Sequence, residues 1–154
     1  MKRNKTILRT AVLIGMLVST PFCYGETSSD KTSIKEVKKE TQDLLETLST
    51  YTVEQKDEAV HKTKVALDDL DKHIDALERD VDKNWDSMDE AAREKARASL
   101  KELRKMRTQV AEEYGSLKNS TADAWKHMKR GFSEAYKDLA DAWEKSEKEF
   151  GSDK

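Results

Sequence analysis

The sequence predicts an all-α protein: a long antiparallel helical hairpin with an additional amphipathic C-terminal helix, a coiled-coil-like arrangement of three to four helices. Three observations carry that expectation. Beyond residue 25 the chain has no proline and only three glycines, Gly115, Gly131 and Gly151, so the usual helix breakers are nearly absent. Ala, Glu, Lys, Leu and Arg supply about half of the same stretch, the composition of long helices and coiled coils. Apolar residues recur at gaps of three, four and seven, the spacing that lines one face of a helix.

Residues 1–25 have a different character. Lys2, Arg3, Lys5 and Arg9 form a basic start, Ala11 to Val18 is a short apolar run, and Pro21 and Gly25 follow. This is the layout of a secretory signal peptide cleaved after Gly25, and the run is too short to span a bilayer. Cys23 raises the alternative of a lipid anchor, but Phe22 stands where such an anchor normally has a small residue, which argues against it. The expected destination is the bacterial periplasm. Cleavage of 25 from 154 residues leaves 129, carrying 25 basic and 31 acidic residues, a formal charge of −6. That balance argues against nucleic-acid binding, which needs basic surface. No cysteine remains, so neither a disulfide framework nor a thiol catalyst is available.

Along the mature chain, residues 26–32 are polar and are expected to be loose. Ser33 with Glu36 fits a capping box opening a first helix over 33–51, with Ile34, Val37, Thr41, Leu44, Leu48 and Tyr51 as its seam. The phase changes at Thr52, where Gln55 offers a second capping box. The helical hairpin spans 52–118 and turns near 84–87. Its first arm carries Val53, Val60, Leu67, Ile74, Val81 and Met88 at intervals of seven, with Thr63, Leu70 and Leu77 between them. Ser87 with Glu90 is expected to cap the second arm, where Ala96, Leu103, Val110 and Leu117 repeat by sevens and Leu100, Met106 and Tyr114 widen the stripe. Pairing the arms about Trp85 matches Val53 with Leu117, Val60 with Val110, Leu67 with Leu103 and Ile74 with Ala96, each pair of numbers summing to 170. A single continuous helix with a stutter at Met88, Ala92 and Ala96 is the alternative. Whether 33–51 and 52–84 form one helix stays open. Gly115 and Asn119 are plausible helix ends. Ser120 with Asp123 then opens the aromatic C-terminal helix over 119–150, and 151–154 form a loose tail.

That last helix contains an unusual repeat. Trp125 and Trp143 are eighteen residues apart, about five full turns, so they point the same way. Phe132, Tyr136 and Phe150 fall within about 20° of them, making one aromatic ridge. Three readings of the ridge are open: it completes the chain's own core, it meets a partner helix from a second copy or a client, or it lies on a membrane. The opposite face mixes six basic with seven acidic side chains, whereas membrane-surface helices favour a basic polar face. Gly131 beside the ridge suggests close approach by a neighbouring helix.

The pattern W-x-x-M-K-x-G-F-x-x-A-Y-x-x-L from Trp125 to Leu139, following a charged hairpin with "LKELRKMR", resembles a family of small bacterial coiled-coil proteins. That family is described as stress-response proteins and is best known from cyanobacteria. The resemblance covers roughly Val60 to Phe150. It implies a helical fold and an association with stress, and it transfers no site residue.

Catalytic constellations are not evident in the residues. His61, His73 and His127 each follow an aspartate by four positions, a spacing able to chelate a divalent metal. Acidic residues are so frequent that such pairs arise from composition and serve as ordinary helix contacts. No cofactor is expected; should a metal bind, Asp69 and His73 are the candidate pair. Asp68–Lys72, Asp75–Arg79, Asp141–Lys145 and Glu144–Lys148 are expected as ion pairs one turn apart. The function expected is that of a non-enzymatic exported helical-bundle protein acting through protein–protein contacts, in envelope stress protection or scaffolding. Its partner would be another protein or a second copy, meeting Trp125, Phe132, Tyr136, Trp143 and Phe150 if the ridge is an interface. The alternatives are a periplasmic divalent-metal-binding hairpin and a peripheral membrane-associated amphipathic helix.

Overall fold

The computed structural model describes residues 34–151. The leader-like segment 1–25, the polar stretch 26–32, the proposed cap at Ser33 and residues 152–154 lie outside the described residues. Four helices make up the described chain: α1 (Ile34–Thr50), α2 (Lys56–Asn84), α3 (Glu90–Lys118) and α4 (Trp125–Phe150). Among the described residues there is no strand. None of these helices is long and apolar enough to cross a membrane.

The first two helices are separate. Tyr51 and Thr52 are non-helical, and Val53–Gln55 forms a tight 3-10 turn before α2. The Gln55 side-chain oxygen accepts the Thr52 backbone N–H at 3.2 Å, within the capping box that the sequence suggests.

At the far end of α2 the chain reverses in two steps. Trp85–Ser87 tightens into a 3-10 turn, and the backbone becomes extended only at Met88 and Asp89. Asp89, not Ser87, caps α3, accepting the Ala92 N–H at 2.8 Å. The Ser87 hydroxyl instead donates back to the Asn84 carbonyl at 2.7 Å. Arg93 then clamps the turn from inside α3. Its Nε donates to the Trp85 carbonyl at 2.9 Å, and both Arg93 and Arg97 lie over the Trp85 ring, at 5.6 and 4.6 Å.

The later reversal moves the register. Contacts bridging the two arms join Lys56 to the Ser120 carbonyl, Asp71 and Asp75 to Arg107, and Glu78 to Arg104. Their residue numbers sum to 176–182 rather than 170, which centres the hairpin near Met88–Ala91 instead of Trp85.

The end of α3 falls on one of the two residues expected to end it. Gly115 is inside the helix, and Asn119 ends it, with both its backbone and side-chain N–H groups on the Gly115 carbonyl. α4 opens at Trp125 after a turn in which Thr121, not Ser120, accepts the Ala124 N–H at 3.3 Å.

Cross-helix contacts define an up-down-up-down bundle. Lys95 reaches Glu149 and Glu113 lies beside Gly131, so α4 runs antiparallel to α3. Lys38 meets Glu144, and Lys129 meets the carbonyls of Ser49 and Tyr51, so α1 also runs antiparallel to α4. Tyr136 reaches Ala66 and His73 reaches Trp143, placing α4 parallel to α2.

The seven-residue repeats fill the core as their spacing requires. Ala96, Leu103, Val110 and Leu117 are completely buried on α3, and Leu70, Ile74, Leu77 and Val81 nearly so on α2. At the start of α2 it is Ala59 that is buried, while Val53 and Val60 are half-buried. At about 1.5 Å per residue, the 17 residues of α1 cover little more than half the length of the 29-residue arms.

Candidate functional site

Each ridge residue is buried within the chain, so the ridge is core and not an exposed docking face. The reason is geometric: α1, α2 and α3 all pack on α4, and together they cover its aromatic stripe. Phe132 is completely buried and stacks on Tyr136 with ring centres 5.7 Å apart. The Tyr136 phenol donates to the Ala66 carbonyl at 3.2 Å, and burial pushes its pKa well above the ordinary phenol value. Phe150 closes the other end of the helix. Gly131 does meet a neighbouring helix, but through the tip of a flexible side chain. A Cβ there would sit 2.8 Å from the Glu113 carboxylate.

The two ends of the ridge engage α1 very differently. At the Trp125 end, Trp125 Nε1 donates to the Tyr51 carbonyl at 3.3 Å, and Lys129 Nζ donates to the same oxygen at 2.6 Å and to Ser49 at 3.1 Å. α1 has no basic residue in its own last turn, so Lys129 supplies the cation that helix C-terminal carbonyls favour. Burial holds the Lys129 pKa below the usual lysine value, with Lys126 adding repulsion.

At the Trp143 end the seam between α1 and α4 is poorly satisfied. Trp143 Nε1 is buried and has no acceptor. Thr41, buried on α1, sits near the Tyr136 phenol but makes no hydrogen bond of good geometry through its hydroxyl. A buried polar group without a partner costs about 1–3 kcal/mol. Both Thr41 and Trp143 line a cleft of about 250 Å³ between α1 and α4. The ion pair that spans this end, Lys38 to Glu144 at 3.6 Å, leaves the lysine largely exposed, and such pairs contribute roughly 0–1 kcal/mol. Helix α1 is thus hydrogen-bonded to α4 at Tyr51, whereas toward Ile34 it is held by apolar packing through Val37 and by the exposed Lys38–Glu144 pair.

A second groove, of about 540 Å³, runs along the other flank of α1 against α2 and contains both Asp69 and His73. The two are engaged elsewhere. Asp69 accepts from Lys72 at 2.7 Å, and the His73 ring packs against Trp143 at 5.5 Å. Among the described residues, no group of three or more His, Cys, Asp or Glu side chains is placed to hold a metal ion.

The surface charges pair differently from the expected set. Glu144–Lys148 forms at 2.6 Å. Asp68 pairs back to Lys64, Asp141 pairs back to Lys137, and Asp75 is taken by Arg107 across the hairpin. Neighbouring helices offer partners that a single-helix reading does not contain. The lowered pKa values of Glu58 and Glu144 come from such surface contacts, first with Tyr51 and Lys148 respectively.

Sequence reasoning missed Lys129 and Thr41 as the residues that set how α1 is held. The absence of a basic residue in the last turn of α1 was the available signal for the first. Thr41, a hydroxyl within an otherwise apolar seam, was the signal for the second. No protein-family model, curated protein or solved structure matches the chain.

Proposed function

We propose that this chain is a non-enzymatic, exported helical-bundle protein that acts through protein–protein contacts, with α1 as its exchangeable helix. The observation that carries this reading is the α1–α4 seam, where Thr41 Oγ1 and Trp143 Nε1 are buried without partners. A helix with a better complement to that seam would displace the N-terminal half of α1 at little cost. The groove so vacated is lined by Val37-facing and Trp143-facing apolar surface, and its partner is another amphipathic helix, from a client or a second copy. The leader-like first 25 residues support export, and a helix-capturing protein of this kind suits envelope scaffolding or protection under stress.

A peptide-exchange experiment tests the reading. In the mature chain, which has no cysteine of its own, cysteines introduced at Lys38 and Glu144 are joined by a short bismaleimide, tying down the N-terminal end of α1. A fluorescent peptide of residues 33–51 should bind the untied protein and lose roughly tenfold or more in affinity for the tied one, because it competes with α1 for the same face. Equal binding to both, or no binding to the untied protein, overturns the reading.

A further inference from the structure

A third groove, adjoining the α1–α4 cleft at Leu45, lies between the C-terminal half of α1 and α4. It has a volume of about 600 Å³, within the range of roughly 300–1,000 Å³ that small-molecule sites occupy. Its walls combine Leu45 from α1 with Lys126, His127, Lys129 and Arg130 from α4, and Asp123 is the only carboxylate in the lining. This collection of cations is notable in a chain whose formal net charge is −2, and it contrasts with the α1–α2 groove, which gathers Glu40, Asp43 and Asp69.

Lys129 is engaged with the Ser49 and Tyr51 carbonyls, but Lys126 and Arg130 are poorly neutralised. Lys126 has no ion-pair partner among the described residues, and Lys126 and Lys129 are close enough to repel one another. Arg130 reaches Glu134 only at 3.9 Å, with both side chains well exposed. Arg130 also donates to His127 Nδ1 at 3.2 Å, which leaves the His127 Nε2 as the ring's N–H donor. Lysine and arginine carry apolar stems behind their charged heads, so with Leu45 they form a greasy floor under a cationic rim.

We propose that this groove binds a small anionic amphiphile, a single carboxylate or phosphate head on a short apolar chain. The head sits between Lys126 and Arg130, with the His127 N–H and the Ser133 hydroxyl within its reach as further donors, and the chain lies along Leu45 and the lysine stems. The anion compensates a cluster that the protein itself leaves unbalanced, and the apolar floor distinguishes this ligand from a free inorganic ion. The inference stands on the groove alone and does not depend on the exchange of α1.

The test is isothermal titration of the full chain with decyl phosphate below its micelle concentration, alongside decanoate, inorganic phosphate and decyl glucoside. Decyl phosphate and decanoate, the two sources of the anionic head, should each bind roughly tenfold or more tightly than either the head alone or the uncharged amphiphile. The Lys126→Gln/Arg130→Gln variant should lose roughly tenfold or more, as removal of charge-assisted contacts predicts. Lys145→Gln, on the same helix but outside the groove, should bind as the native chain does. Circular dichroism of each variant separates loss of binding from loss of fold, and Lys126→Arg/Arg130→Lys, which keeps the charge, should restore binding. The proposal is overturned if neither anionic amphiphile binds, if decyl glucoside or inorganic phosphate binds as well as they do, or if the folded double glutamine variant binds unchanged.

Discussion

Lys129 and Tyr51 stand 78 positions apart, yet the lysine ammonium donates to the tyrosine's backbone carbonyl at 2.6 Å. The same carbonyl accepts Trp125 Nε1, and Lys129 also holds the carbonyl of Ser49. One oxygen therefore ties the end of α1 to the beginning of α4. Replacing Lys129 by methionine keeps the apolar stem and removes the charged donor. The expected loss is about 1–2 kcal/mol, the scale of a hydrogen bond to a charged group in a partly buried setting, read as a shift in the urea midpoint at constant slope. An unchanged midpoint would mean that Trp125 alone suffices.

Tyr136 gives a pH prediction with a definite sign. Burial raises its folded pKa well above the ordinary phenol value of about 10. Below pH 10 the phenol is neutral in both states, and its stabilising contribution is complete. Above pH 10 the unfolded chain loses the proton while the folded chain keeps it, so stability falls by about 1.4 kcal/mol per pH unit until the folded group also ionises. Tyr136→Phe loses the bond to Ala66, worth about 1 kcal/mol at neutral pH. The gap between native and variant chains should therefore narrow and then reverse above pH 10. Parallel stability curves from pH 8 to 11 would contradict this.

Trp143 and Phe132 are both buried aromatic residues of α4, but they should not respond alike. Trp143→Phe removes a donor that has no acceptor, so the lost volume is offset by relief of an unpaired N–H, and the net change should stay within about 1 kcal/mol. Phe132 is completely buried and makes no such compromise. Phe132→Ala should cost about 3–5 kcal/mol. Chemical denaturation of the two variants side by side makes the comparison, and equal losses would refute the reading of the seam.

The hairpin cap can be tested in the same way. Asp89→Ala removes the acceptor for the Ala92 N–H and should cost about 0.5–2 kcal/mol. Ser87→Ala removes only an exposed hydroxyl contact to Asn84 and should fall within about 0.5 kcal/mol of the native chain. Thermal melts of both variants would show the order, and a larger loss at Ser87 would return the cap to that position.

The helices were legible because their cause is local. Spacing by sevens at Leu103, Val110 and Leu117, with no proline nearby, leaves little choice but a long helix with one buried stripe. The ridge from Trp125 to Phe150 was legible as a ridge for the same reason. What covers it was not, because burial depends on which helices pack there. The ends of helices were read less well. At Ser87–Glu90 and at Ser120–Asp123 a serine and an acidic residue stood at the right separation, yet Asp89 and Thr121 took the roles. Several polar side chains compete for each orphan N–H, and backbone geometry decides among them. The partners of Asp75 and Lys129 were beyond reach, since they lie far away in the chain, on α3 and at the end of α1.

The unequal fastening of α1 has a mechanical meaning. Tension applied at Ile34 acts on the weak end first and unzips one turn after another, instead of shearing the whole helix at once. Peeling then halts at Tyr51, where Trp125 and Lys129 bear the load. Unravelled, the 17 residues of α1 would lengthen from about 1.5 Å each to at most about 3.3–3.6 Å each, a slack taken up before such a pull reached the other three helices.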